Sequence, residues 1–243
     1  MKFLFLLVFI SSSFLTGAQA SFASQIPLSE KYDPKKVVDD VYGIRMYDKL
    51  IAVFDNDTVR KNKKGYKEEG DIEDYYINDK PIHKGFYVEG KLRAFKNFYP
   101  NSTIERSFKM IDLKKSEMKE YYPDGKIKSE ITYFESYTIK QTDYFENGKI
   151  SYEEENNKTG EYLIKRNSFH EDGNPNILFE LTDKKKKIYQ HKEFYENGTI
   201  KEEGTMKYIS EMGDFLKEGQ WINYSSGGKE IRKQNFHDGN LID

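Results

Sequence analysis

The chain has 243 residues and no cysteine, which excludes a disulfide framework, thiolate metal sites and a thiol nucleophile. Charged residues make up 33% of it, yet the formal net charge is only −2, so it carries no electrostatic footprint for nucleic acid. Aromatics reach 15% against a mean hydropathy of −0.85, which is too aromatic for a disordered chain and too polar for a compact globule; a thin sheet with two partly wet faces suits both.

Residues 1–20 read as a secretory signal peptide. Lys2 gives a positive start, residues 3–10 are an apolar run too short to span a bilayer, and Ala18-Gln19-Ala20 is an A-x-A cleavage site. Cleavage near Ala20 would export the chain to the periplasm or the medium. No cysteine stands beyond the apolar run for lipid attachment, and no later stretch is apolar enough to span a bilayer. Residues 21–65 are expected to cap the open end of a repeat sheet built from residue 66 onward. Asp33-Pro34 starts a short helix over 34–42, with Val37, Val38 and Val41 on one side and Gly43 at its end. Residues 44–54 look like strand, Asp55-Asn56-Asp57 like a turn, and 61–65 (KNKKG) like a basic loop.

From residue 66 a hairpin device recurs to the end of the chain. After a first sheet unit at 66–78 come FYVEGKLR (86–93), FYPNSTIER (98–106), EYYPDGKIKSE (120–130), DYFENGKISYE (143–153), SFHEDGNPNI (168–177), EFYENGTIKEE (193–203), NYSSGGKEI (223–231) and FHDGNLID (236–243). The turn positions Ser102, Gly125, Gly148, Gly173, Gly198 and Gly227 lie 23, 23, 25, 25 and 29 residues apart, a period that marks a repeat architecture. One hairpin cannot bury its face alone, whereas stacked hairpins can. The copy at 168–177 departs from the rule, with His170 for the aromatic and Pro175 for the aliphatic. A kink or a longer loop is expected there, with Ile177 supplying the missing apolar contact.

Asn-Gly between β-prone runs predicts a type I′ turn, with both central residues at positive φ. Taking Asn197 and Gly198 as those residues pairs Tyr195 with Ile200, and likewise Tyr122 with Ile127, Phe145 with Ile150, Tyr99 with Ile104 and Tyr87 with Leu92. The neighbouring aromatics Phe86, Phe98, Tyr121, Tyr144 and Phe194 then share the opposite face beside polar partners, Arg93, Glu105, Lys128, Ser151 and Lys201. These five aromatics are the candidate binding surface.

No active site is legible. His83, His170, His191 and His237 lack ligand spacing and read as hairpin surface residues; Glu153-Glu154-Glu155 alternates between faces, so its carboxylates do not converge. G-x-S-x-G, P-loop and G-x-G-x-x-G motifs are absent. Residues 184–187 are a four-lysine solvated turn, the sequons at Asn101, Asn197 and Asn223 arise from turn composition, and Trp221 reads as a packing residue. No metal, cofactor or enzymatic activity is expected. The pattern supports a protein-interaction scaffold, or a module binding an envelope lipid or glycan through the aromatics.

Residues 85–97, 121–133, 193–204 and 219–240 resemble the MORN-repeat variant of bacterial proteins, and the string from 65 to 108 is similar to exported members from the Bacteroidetes labelled YwqK-family antitoxins. The likeness covers roughly 66–243. It implies an all-β, elongated, twisted antiparallel sheet of repeated hairpins without enzymatic activity. An antitoxin or immunity role is the weaker implication, since a signal peptide opposes a cytoplasmic antitoxin.

Overall fold

A computed structural model describes residues 59–62 and 64–242. The expected signal peptide, the helix over 34–42 and the strand over 44–54 lie outside the described residues. Residues 70–242 form one antiparallel sheet of fifteen strands in sequence order. The strands are β1 (Gly70–Tyr75), β2 (Pro81–Val88), β3 (Lys91–Phe98), β4 (Ile104–Met110), β5 (Lys115–Tyr121), β6 (Ile127–Phe134), β7 (Tyr137–Tyr144), β8 (Ile150–Asn156), β9 (Leu163–Phe169), β10 (Pro175–Asp183), β11 (Ile188–Phe194), β12 (Ile200–Ile209), β13 (Asp214–Tyr224), β14 (Glu230–His237) and β15 (Asn240–Ile242). Among the described residues no helix is long and apolar enough to cross a membrane.

The glycines expected at the turns do take the left-handed conformation: φ is 88° at Gly125, 83° at Gly148 and 80° at Gly198. In the turn at 225–228 it is Gly228 (φ 80°), not Gly227, that does so. The turn type differs from expectation. At Asn197-Gly198 only the glycine has positive φ; the Gly198 N–H donates to the Tyr195 carbonyl and the Tyr195 N–H to the Thr199 carbonyl, both at 2.9 Å. This is a three-residue loop, a type I turn closed by a glycine bulge. The extra loop residue pairs Phe194, not Tyr195, with Ile200, and a bulge at Phe194 then restores the expected register at Glu193–Glu202. The same correction applies at Tyr121–Ile127, Tyr144–Ile150 and Phe98–Ile104. Type I′ turns occur instead at Glu89-Gly90 (φ 52° and 74°) and Asp238-Gly239 (φ 45° and 82°), and Tyr87 does face Leu92.

The copy at 168–177 keeps the ordinary loop length, with the Gly173 N–H on the His170 carbonyl and the His170 N–H on the Asn174 carbonyl, both 2.8 Å. Pro175 opens β10, where a missing N–H interrupts no inner ladder bond, so no longer loop is needed.

Successive turns are stitched to one another. In four units the tyrosine hydroxyl that leads the loop donates to a main-chain carbonyl of the next unit: Tyr76 to Phe98 (2.6 Å), Tyr99 to Tyr121 (2.8 Å), Tyr122 to Tyr144 (2.7 Å) and Tyr195 to Tyr224 (2.9 Å). Asn101, Asn147 and Asn197 add Nδ2 bonds to the carbonyls of Pro123, Glu171 and Ser226.

One face of the sheet holds the core, in two clusters. Tyr76, Tyr87, Leu92, Phe95, Phe108, Met118, Ile131 and Tyr133 belong to the first; Leu163, Phe179 and Tyr189 to the second, with Met206, Tyr208 and Phe215 packed against it. Tracing paired residues across the strands explains the gap: Phe95, Phe108, Met118 and Ile131 are succeeded by Gln141, Glu154 and then Arg166. The apolar row thus turns polar at β7–β9, where the Gln141 amide donates to Asp143 (2.8 Å) and Arg166 Nε to Glu154 (2.9 Å). In the second half Gly204 allows the Trp221 ring to lie on the backbone, since a Cβ at 204 would clash with the ring atoms Cδ2, Cε2 and Cγ.

Candidate binding face

The opposite, outer face carries rows of cross-strand ion pairs. Glu73 meets Lys84 at 2.8 Å, Lys109 meets Glu117 at 3.3 Å, Lys119 meets Glu130 at 2.6 Å, and Lys192 meets Glu203 at 3.6 Å. Each pair sits on directly opposed residues, the geometry in which opposite charges favour a sheet. The Lys84 and Lys119 ammonium groups hold the Glu73 and Glu130 carboxyls below the usual carboxylate range.

All five aromatics expected on one surface lie on this outer face, since each is two residues along its strand from an outer residue (Lys84, Lys96, Lys119, Thr142 beside Glu130, or Lys192). Only Phe86 is exposed, at 44%; Phe98, Tyr121, Tyr144 and Phe194 are half-buried. Their cross-strand neighbours differ from the polar ones expected. The loop bulges place Ile104, Ile127, Ile150 and Ile200 opposite the last four, and a bulge between Phe86 and Tyr87 places Ala94, not Arg93, opposite Phe86. The Tyr144 hydroxyl is engaged too, donating to Glu130 (2.9 Å).

Two of the five, Phe86 and Tyr121, meet in a shallow hollow of about 640 Å³ over β1–β5. Its floor is made by the small residues Ala94 and Ser107, and lysines 84, 96, 109 and 119 surround it. Phe98, Tyr144 and Phe194 do not line it. Nothing in the sequence marks Ala94 or Ser107; only the strand register shows that both stand between the aromatic walls.

The histidines divide by environment. His83 is not a surface residue: it is 1% exposed, with Nδ1 2.7 Å from Asn97 Oδ1 and Nε2 3.0 Å from the Tyr87 hydroxyl. A neutral ring satisfies both contacts, donating from Nδ1 and accepting at Nε2. Burial pushes its pKa down to about 4 and that of Tyr87 up to about 12. The neighbouring Arg60 donates to both carboxylate oxygens of Asp74 at 2.7 Å, and both side chains are fully buried. The alternation of His83 with Gly85 and Tyr87 was the signal available, because Tyr87 is a core position. His170 keeps a buried Nε2 without a hydrogen-bond partner among the described residues.

His191 shares the core face with Glu193 and Glu202, and His237 stands beside Glu218 and Asp238; in each trio the potential ligand atoms lie within 4.8 Å. The carboxylates of the first trio are held by lysines, Glu193 by Lys201 (2.7 Å) and Glu202 by Lys217 (3.2 Å). Trp221 packs as expected, 2% exposed, with Nε1–H donating to the Thr205 carbonyl (3.0 Å) and Lys217 Nζ 3.7 Å above its ring. Glu153 and Glu154 do point to opposite faces, to Lys165 and Arg166 respectively. Residues 184–187 form a turn.

No curated protein matches the chain. Among solved structures it is similar to S. aureus TarM, crystallised as a mutant in complex with Fondaparinux, alpha-GlcNAc-glycerol and UDP. The match has 10% identity, covers 51% of this chain and 19% of that one, and has a TM-score of 0.26. At that score the likeness carries no argument. The family model of the MORN repeat variant matches residues 116–135 and 190–208. These segments coincide with the β5–β6 and β11–β12 hairpins, so the chain contains repeats of the MORN variant.

Proposed function

We propose that the chain is a non-catalytic scaffold that holds a protein partner on the outer face of its sheet, in the periplasm or outside the cell after removal of residues 1–20. MORN repeats are in general protein- or lipid-binding modules. The observation that carries the protein reading is the hollow over β1–β5, where an exposed aromatic, a small-residue floor and lysines meet on an otherwise paired charge ladder. Titratable groups on this face are tied in cross-strand pairs instead of converging on one point, which supports a binding role over a catalytic one. Envelope lipid or glycan binding through the aromatic stripe is the weaker reading, since four of its five members are half-buried and offer little area to a bilayer or a sugar ring.

The test is capture from envelope extracts by residues 21–243, compared with a Phe86→Ala/Tyr121→Ala variant that melts at the same temperature. Specific proteins retained by the wild-type chain are expected to be lost from the variant. An identical set with both baits, or retention only of lipid vesicles, would refute the reading.

A further inference from the structure

One row of the outer face differs from the paired ones described above. Across adjacent strands the directly opposed residues are Glu73, Lys84, Lys96, Ser107, Lys119 and Glu130. The two glutamates at the ends each tie the nearest lysine, at 2.8 and 2.6 Å. Lys96, in the middle, faces Lys84 on one side and Ser107 on the other, and forms no ion pair among the described residues. Like charges directly opposed in a sheet are destabilising. An acid at position 107 would remove the conflict, as Glu117 does opposite Lys109 in the next row. Instead that place is a serine, and the hollow opens over it.

Resting on the scaffold reading, we propose that the missing acid comes from the partner: the hollow takes an acidic, extended peptide segment. One carboxylate sits over Ser107, accepting from its hydroxyl and facing Lys96 and Lys119, and an adjacent apolar side chain rests on Phe86. The dimensions allow it. Neighbouring strands are about 4.8 Å apart, so a carboxylate over β4 is about 5 Å from the β3 and β5 backbones, within the reach of a lysine side chain. The strand-to-strand interval from Lys84 to Ser107 is about 10 Å, which two carboxylates at alternate positions of an extended peptide, about 7 Å apart, fit with the flexibility of lysine. Asp71 and Glu117 on the rim oppose a uniformly charged polyanion such as an acidic glycan. A peptide with isolated carboxylates among apolar residues meets both signs.

The test uses labelled heptapeptides with a Glu-x-Glu core and one phenylalanine, their Gln-x-Gln counterparts, and a heparin oligosaccharide, titrated against residues 21–243 by fluorescence polarisation. Binders are expected in the Glu set, at least tenfold weaker as Gln analogues, weakened at least tenfold by Lys96→Glu, weakened also by 0.5 M salt, and unaffected by Lys140→Glu outside the hollow. Lys96→Glu is expected to raise the melting temperature, because it places an acid opposite Lys84; loss of binding with gained stability cannot be misfolding. Equal affinity of Glu and Gln sets, a preference for heparin, no effect of Lys96→Glu or no binder at all would overturn the proposal. In envelope extracts, partner loss with Phe86→Ala/Tyr121→Ala but not with Lys96→Glu leaves the scaffold reading standing and this one refuted; no loss with either refutes both.

Discussion

The tyrosine ladder along the turn edge makes a two-way prediction. In four units the residue that leads the loop donates its hydroxyl to the next unit's carbonyl, as Tyr122 does to Tyr144 at 2.7 Å. At the equivalent place in the next unit stands Phe145, in a loop of the same geometry: Phe145 N–H on the Lys149 carbonyl and Gly148 N–H on the Phe145 carbonyl, both 2.8 Å. By the pattern of its neighbours, a hydroxyl there would meet the Phe169 carbonyl, the residue before His170. A neutral hydrogen bond contributes roughly 0.5–1.5 kcal/mol net. The carbonyl lies at a loop that water can reach, so the loss in Tyr122→Phe should be about 1 kcal/mol. Phe145→Tyr should gain about 0.5–1 kcal/mol. For a protein of this size about 1 kcal/mol is ~2–4 °C in Tm. Urea and thermal unfolding monitored by far-ultraviolet circular dichroism resolve such differences. A neutral Tyr122→Phe, or a destabilising Phe145→Tyr, would show that the ladder is a by-product of the turn spacing and contributes nothing.

The same geometry fixes other outcomes. Gly198→Val places a β-branched residue at φ 80° and should cost about 1–3 kcal/mol; hydrogen exchange should rise around residues 192–204 and stay near wild type at 86–93, and uniform loss of protection would refute neighbour-only coupling. Gly204→Ala should cost about 1–3 kcal/mol by driving a methyl group into Trp221, with a changed emission from this single tryptophan as the direct readout. The His83 pKa is about 4 in the folded chain against 6.5 unfolded, so between those values the unfolded state binds the proton; its contribution is complete above pH 6.5 and is lost as pH falls toward 4, by about 3 kcal/mol. Urea unfolding at pH 7 and pH 4.5 should show most of that loss, and His83→Gln should flatten it. Chelator should leave the melting curve unchanged; a drop of several degrees with EDTA would point to an ion at His191, Glu193 and Glu202.

What was legible in the sequence was whatever local chemistry decides. A glycine that must reach positive φ announces its turn, so Gly125, Gly148, Gly173 and Gly198 mark the period correctly. The turn type was not legible, because Asn-Gly serves a type I′ turn and a type I turn with a glycine bulge equally well. That single residue of loop length decides whether Tyr195 or Phe194 stands opposite Ile200. It also decided the surface: the polar neighbours expected beside the five aromatics are aliphatic in four cases. His83 was misplaced for a related reason, since counting histidines says nothing of strand parity, whereas its i+4 relation to Tyr87 puts both on the core side.

The candidate site was the least legible part because it is defined by departures from the repeat. A repeated surface has the same chemistry at each step, so it cannot by itself tell one ligand position from the next. Selectivity has to come from a unit that differs, and on the outer face that unit is the one where Ala94 and Ser107 are small and Lys96 lacks an opposed acid. Neither alanine nor serine belongs to any motif, and a lysine without an opposed acid is invisible until its cross-strand neighbours are known. The ion pairs at the two ends of the row that holds Lys96 then have a second role. By tying Lys84 to Glu73 and Lys119 to Glu130, they hold the flanking ammonium groups in place and leave Lys96 as the position where an incoming charge gains most.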